Sequence, residues 1–144
     1  MGKRTLSRIK AMIVLYHDDL MKNSYEDVEN EHLDSLFLDD TKDMEFDEDF
    51  YNELVSGVRA NLAVIDRYIA ICLYRYVIDR LSYLDRAIVR IAVYEMKFTD
   101  TPHKVIINEA LNLSKDYTLI NGFDTKSFNN ALLDKISRRI TSGE

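Results

Sequence analysis

Glycine and proline are scarce in this chain, with 4 Gly and 1 Pro among 144 residues. All-β folds and glycine-rich phosphate-binding loops need many more, because their tight turns use backbone conformations that other residues adopt poorly. Helices need such residues only near their ends. The sequence therefore predicts an all-helical protein, and a chain of this length is the usual size of a single domain.

Apolar residues recur at intervals of three and four along most of the chain, which is the spacing of one helix face. The longest stripe begins at Phe50 and ends at Val77 without losing register, so it predicts one long helix. Six helices are expected, over about 6–20, 25–38, 50–77, 82–96, 102–117 and 125–140.

Three predicted helix starts carry the expected capping residues. Ser82 precedes Asp85 by three residues, which is the spacing of a capping box. Thr101 is a cap followed by Pro102 at the first helical position, where the missing N–H costs nothing. Asp124 follows the Asn-Gly break and caps the last helix.

Charge is segregated along the chain, although the formal net charge is -6. The first ten residues hold four bases and no acid, whereas residues 11–53 hold 15 acids and two bases. Arg4 and Arg8 are one helical turn apart on the predicted wet face of the first helix, where two guanidinium groups can follow a phosphate backbone. A solvated first turn without a binding role is the alternative, because four bases make a small electrostatic footprint.

No arrangement of catalytic or metal-binding residues is evident. His17, His32 and His103 are too far apart in the sequence to form a helical metal pair. Cys72 lies beside the longest apolar stripe, which indicates a small core residue and not a nucleophile. We therefore predict a protein that binds and does not catalyse, without a metal or cofactor.

The sequence also indicates the cellular compartment of the protein. A lone cysteine cannot form an internal disulfide, and neither a secretory segment nor a membrane-spanning apolar run is present in the sequence. A cytoplasmic protein is the simplest expectation.

Four stretches resemble the NusB transcription antitermination family, in the same order and at matching intervals. Residues 85–96 resemble its central signature, and 102–115 resemble its Pro, Val, Ile-Asn-Glu-Ala and Lys series. Residues 57–66 resemble its long third helix, and 128–136 are similar to its closing Phe-Val-Asn-Gly-Val-Leu-Asp-Lys motif. The closing motif departs from the family pattern at Asn129 and Ala131, where valine and glycine are usual.

The resemblance implies an all-α fold of six or seven helices in two small packed bundles. A single domain over 1–144 would then consist of an N-terminal bundle over about 1–78 and a C-terminal bundle over about 79–141. It also implies a role without catalysis: with NusE, a small-subunit ribosomal protein, such a protein holds the single-stranded boxA element of nascent transcripts, especially those of ribosomal RNA operons. RNA polymerase and other Nus factors complete that assembly.

Functional positions follow from the resemblance one residue at a time. The arginine positions of the family's first helix match Arg4 and Arg8, with Lys3 and Lys10 as nearby substitutes. Positions at the family's RNA surface match Asp124 and Phe128, and positions facing NusE match Tyr16 and Asp85. Each also has a simpler interpretation, because Asp124 and Asp85 would cap helices in any protein and the two aromatic residues lie on apolar stripes.

Several functional alternatives stay open. The sparse arginines and the acidic segment are compatible with a protein-binding adaptor of the same fold that has lost RNA binding. A detached NusB-like domain of an RNA methyltransferase is a further alternative. Self-pairing into a homodimer is not decided by the sequence.

Overall fold

The computed structural model describes residues 2–22, 44–73, 78, 81–118 and 125–143. These ranges contain no strand and six helices: α1 Lys3–Lys22, α2 Glu48–Ala60, α3 Leu62–Cys72, α4 Tyr83–Phe98, α5 His103–Tyr117 and α6 Thr125–Thr141. The predicted all-α class is confirmed. The helix expected over 25–38 lies outside the described residues.

Helix α4 is the centre of the molecule. It contacts each of the other five helices, and twelve consecutive residues, 85–96, are buried. A helix that is covered on all sides must bury polar residues as well as apolar ones, so its charged side chains need partners inside the protein. Arg86, Arg90 and Glu95 are the charged residues in this position besides Asp85.

Helix α1 runs antiparallel to α4. Its first half reaches the end of α4, where Arg8 meets Glu95, and its second half reaches the middle of α4, where Asp19 meets Arg90. The apolar stripe predicted for this helix supplies Leu6, Ile9 and Met12 to the core that the helices share.

The single long helix expected over 50–77 is wrong. Its first part ends at Ala60 as α2, and the chain resumes helical structure at Leu62 as α3, which ends at Cys72. Asn61 makes the break: its φ of -116° and ψ of 21° are not helical, and its side-chain amide donates to the carbonyl of Gly57 at 2.8 Å. An asparagine side chain that bonds to the backbone competes with helix continuation in this way. Val77 lies outside the described residues.

The predicted caps differ in outcome. Ser82 caps α4 as expected, because its hydroxyl oxygen accepts a hydrogen bond from the backbone N–H of Asp85. Pro102 occupies the cap position of α5 and not the first helical position, so Thr101 lies one residue further out than expected. Asp124 lies outside the described residues.

Gly57 permits a close approach of α2 to α4. A Cβ at this position would overlap the ring of Tyr94 and lie 2.7 Å from its hydroxyl oxygen. Tyr94 is held there by donating its hydroxyl hydrogen to Glu53 at 3.1 Å. Burial, and then this hydrogen bond, raise the pKa of Tyr94 above its ordinary value.

The division into two bundles near residue 78 stays a prediction. Helix α4 belongs to the expected C-terminal bundle, yet it packs against α1 and α2 as well as against α5 and α6. The two halves therefore share one continuous core across the described ranges.

Candidate nucleic-acid interface

Three cations of α1 lie at the protein surface near the start of the helix. Lys3 and Arg4 are exposed, and Lys10 is half-buried. We call these three side chains the basic edge. They keep the solvent-facing position that the sequence predicts for them.

Two aromatic rings support the basic edge, one from the segment just before α2 and one from the first turn of α2. The guanidinium carbon of Arg4 lies 3.8 Å from the centroid of the Phe50 ring, and the Lys10 ammonium lies 4.8 Å from that of Phe46. Such cation–π contacts restrict long side chains while leaving their charge accessible. The two segments are joined because the Ser7 hydroxyl donates to the carbonyl of Asp47 at 2.8 Å.

Acidic side chains lie close to the basic edge. Lys3 forms an ion pair with Glu45 at 3.2 Å, and both side chains are well exposed. Exposed pairs of this kind contribute between 0 and about 1 kcal/mol, so Lys3 can exchange Glu45 for another anion at small cost. The first turn of α2 adds Glu48 and Asp49, which lower the local positive potential.

The predicted solvent position of Arg8 is wrong. Only 4% of the residue is exposed, and its guanidinium group donates two hydrogen bonds of 2.8 Å to the carboxylate of Glu95. Glu109 contacts the same guanidinium group at 3.3 Å and accepts a hydrogen bond from Thr5 at 2.8 Å. Arg8 therefore joins α1 to α4 and α5 from inside the protein.

Electrostatics favour the charged form of Arg8 despite its burial. Desolvation by itself lowers the pKa of a buried cation, but the hydrogen bonds and charge of Glu95, with the charge of Glu109, outweigh it and raise the pKa of Arg8 above its ordinary value. The guanidinium group is thus already neutralised by carboxylates of its own chain, which is a poor starting point for a contact with phosphate.

A second buried ionic cluster joins α1, α3 and α4, and sequence reasoning did not identify it. Arg90 donates two hydrogen bonds to Asp66 and one to Asp19, at 2.8–2.9 Å. Desolvation by burial lowers the pKa of Arg90, but the hydrogen bonds and charges of Asp66 and Asp19 outweigh it and raise the pKa above its ordinary value. The available signal was the position of Arg90 inside the apolar run 88–93, where a charge requires a partner.

Asp85 is buried, with 4% of the residue exposed, and does not present its carboxylate to solvent. It accepts hydrogen bonds from the Ser82 hydroxyl at 2.8 Å and from the Asn129 amide at 2.9 Å. The same amide donates to the Ser114 hydroxyl at 2.9 Å. Asp85 therefore links α4 to α5 and α6, and Asn129, which departs from the family's closing motif, completes the link.

The aromatic candidates keep part of their surface accessible. Tyr16 is half-buried on α1 and makes an edge-to-face contact with His17, with centroids 6.0 Å apart. Phe128 is half-buried in the first turn of α6, where it packs on the core next to Asn129. Asp124, predicted to lie on the same surface, is outside the described residues.

The candidate residues fall into two groups in space. The basic edge lies beside the end of α4, because the neighbouring Arg8 pairs with Glu95. Asp85 and Phe128 lie where α4 and α6 begin, because Asn129 bonds to Asp85. The two groups are separated by about 15 Å along α4, the rise of ten helical residues.

Other chemistry is not evident in the described part of the chain. No three His, Cys, Asp or Glu side chains there cluster as a metal site. Burial raises the pKa of the Cys72 thiol despite the nearby charges of Arg139 and Lys135, which disfavours the nucleophilic thiolate. No helix within the described ranges has the length and apolar character needed to cross a membrane.

Fold and surface together define a class: an all-helical protein whose candidate binding surface combines cations on its first helix with partly exposed aromatic rings. The chain matches the NusB family over residues 5–138. It is 38% identical to the transcription antitermination protein NusB of Serratia proteamaculans (strain 568) over 138 residues, 95% of this chain and 94% of that protein. The chain belongs to the NusB family.

Solved structures agree in fold. NusB of T. maritima superposes with a TM-score of 0.70 at 28% identity, over 96% of this chain and 93% of the other. The NusB chain solved with NusE and double-stranded RNA gives a TM-score of 0.71 at 24% identity, over 95% and 97% of the two chains, which establishes a shared fold.

Proposed function

We propose that this chain is a transcription antitermination factor that binds boxA-type single-stranded RNA together with the ribosomal protein NusE. Its curated relatives carry the name transcription antitermination protein and match it over nearly the full length of both chains. The observation that carries the proposal is the basic edge, which places accessible cations on the first helix, as the family resemblance implies.

We assign the RNA phosphates to Lys3, Arg4 and Lys10. Arg8 supports this surface from inside by fixing α1 on α4, and it makes no direct RNA contact. Phe50 holds Arg4 in place and Phe46 holds Lys10, so part of the ordering cost is met before RNA arrives.

Tyr16 and the group formed by Asp85 and Phe128 make up the remainder of the proposed surface. Phe128 and Tyr16 offer half-buried rings to NusE and RNA, and such rings commonly anchor interfaces. Asp85 acts indirectly, because its bond to Asn129 fixes the first turn of α6 and thereby the position of Phe128.

In this role the protein holds two ligands and makes or breaks no bond. Its site of action is the transcribing RNA polymerase, and hence the cytoplasm. RNA polymerase and the other Nus factors are the larger partners of the complex.

A mixing experiment tests the proposal. Fluorescently labelled boxA-type RNA is titrated with the purified protein at low ionic strength, with and without purified NusE. We expect the protein to bind RNA and NusE, and to bind RNA more tightly in the presence of NusE. The reason is that RNA can then contact both proteins of the complex at once.

The alternative function, a protein-binding adaptor that has lost RNA binding, predicts a different result. That protein would bind NusE with an affinity that RNA does not change, and it would not shift the anisotropy of the RNA at any salt concentration. Binding of neither ligand would contradict both functions.

A further inference from the structure

A groove opens on the side of α4 that faces away from α1. It has a volume of about 320 Å³ and lies among α3, the end of α4 and the end of α6. Its lining consists of Val64, Arg67, Tyr68, Ile71, Lys97 and Arg139. Lys97 is two residues from Glu95 and therefore points about 200° away from the α1 contact around the helix.

The floor of the groove is an apolar face at helical spacing. Val64, Tyr68 and Ile71 follow one another at intervals of four and three on α3, so they share one face. Val64 is 43% exposed and Ile71 is 46% exposed, whereas the Tyr68 ring is buried beneath the Lys97 ammonium. Two exposed branched aliphatic side chains beside a large ring are a typical receptor for an amphipathic segment.

The rim of the groove carries one sign of charge. Arg67 and Lys97 are exposed, Arg139 is half-buried, and the lining residues include no carboxylate. This local excess of positive charge occurs in a protein whose net charge is -6. Charge complementarity therefore requires an acidic occupant.

We propose that this groove binds an acidic amphipathic segment of a partner protein, with aliphatic side chains on the α3 face and carboxylates on Arg67, Lys97 and Arg139. RNA fits less well, because the exposed apolar groups are aliphatic and the one ring is covered, so bases have no platform on which to stack. The groove lies at the opposite ends of α4 and α6 from Asp85 and Phe128. The inference is therefore independent of the function proposed above, and it gives the protein a contact beyond RNA and NusE.

The probe is a synthetic fluorescent peptide of about four helical turns. It has leucine at every third or fourth position and glutamate between, and a matched peptide has lysine in place of glutamate. We expect the full chain to bind the acidic peptide and not the basic one. Arg67→Glu with Lys97→Glu should weaken acidic-peptide binding by about tenfold or more.

A second pair of variants tests the apolar face, and a third serves as control. Val64→Ser with Ile71→Ser should weaken peptide binding to a similar extent without affecting folding, because both side chains are exposed. Lys104→Glu with Lys115→Glu changes the net charge equally on α5 and should leave binding unchanged. All three variant pairs should retain wild-type affinity for boxA-type RNA and NusE.

Other results would overturn the inference. They are no measurable binding of the acidic peptide, equal binding by the groove variants, or equal binding of the basic peptide. Loss of RNA binding in the groove variants would assign the groove to RNA. A concentration-dependent dimer that the groove variants abolish, without an effect on the peptide, would assign it to a second copy of this chain.

Discussion

Replacing Glu95 by glutamine is expected to lower the free energy of unfolding by about 3 kcal/mol, which is the lower end of the loss when one partner of a buried ion pair is removed. Glu95 is 1% exposed and takes two hydrogen bonds from Arg8. Glutamine keeps the shape but offers one acceptor and no charge, so the Arg8 cation stays buried with only Glu109 to balance it. Urea unfolding followed by circular dichroism measures the change.

Two controls separate the ion pair from a general effect of charge. Asp18→Asn removes a carboxylate that also binds an arginine through two 2.8 Å hydrogen bonds, but the pair with Arg59 is exposed, so we expect a loss below about 1 kcal/mol. Arg8→Met combined with Glu95→Met removes both buried charges and should recover much of the loss. Equal effects of Glu95→Gln and Asp18→Asn would contradict a buried pair.

The stability that Arg8 contributes to the folded protein depends on pH in one direction. Because the pKa of Arg8 is raised in the folded protein, its contribution to stability is fully present below the ordinary arginine pKa and is lost only as pH rises through the folded value. Arg8 therefore does not limit stability near neutral pH.

Asp85→Ala is expected to lower the free energy of unfolding by about 3 kcal/mol, since hydrogen bonds to a charged group contribute about 1.5–3 kcal/mol each. The variant removes the acceptor of both Ser82 and Asn129, and Asn129 is fully buried. Ser82 still caps the helix through the backbone N–H at position 85. Thermal and urea unfolding measure the loss.

A double-mutant cycle identifies the source of that loss. Asn129→Val restores the residue that is usual in the family's closing motif, yet here it should also destabilise, because it leaves the Asp85 carboxylate without its amide donor. The two changes together should cost less than the sum of the single changes, because both polar groups then leave the core. Strict additivity would show that the Asp85–Asn129 bond contributes nothing.

Much of the fold was predictable because apolar periodicity reports which face of a helix is buried. Five of the predicted helices correspond to described ones, with the expected long helix divided into α2 and α3. The division at Asn61 was not predictable from the stripe, because one non-helical residue does not disturb the spacing of the apolar residues around it. Only the local hydrogen bond of the asparagine side chain reveals the break.

The site was predictable only in part, for a related reason. The charge pattern groups Lys3, Arg4 and Arg8 on the first helix. Whether each of these side chains is exposed or buried depends on the residues that pack against it in the fold. Arg8 is buried because Glu95 lies next to it in the fold. The two residues are 87 positions apart in the sequence, so the sequence alone does not show that they meet. The one sequence signal was Glu95 itself. A carboxylate at a buried position of the apolar α4 stripe requires a cation supplied by another part of the chain.

We infer that the cations of α1 have two roles: those of the basic edge bind RNA, and Arg8 stabilises the fold. The most direct test compares boxA-type RNA binding, in the presence of NusE, between the wild-type chain and the variant Arg4→Glu with Lys10→Glu. Lys22→Glu with Lys135→Glu is the matched control, because both residues are exposed and the change in net charge is equal. Arg8→Glu is unsuitable as a test, since it would place the new carboxylate beside those of Glu95 and Glu109.

We expect the basic-edge variant to bind RNA about thirtyfold more weakly, a loss of about 2 kcal/mol, while it stays fully folded under the conditions of the binding measurement. For the wild type, log affinity should fall with log salt at a slope of about -2, the value for three phosphate contacts on a single strand, and the variant should show a shallower slope. The control should match the wild type. Wild-type RNA affinity and salt dependence in the basic-edge variant would show that the basic edge does not bind RNA.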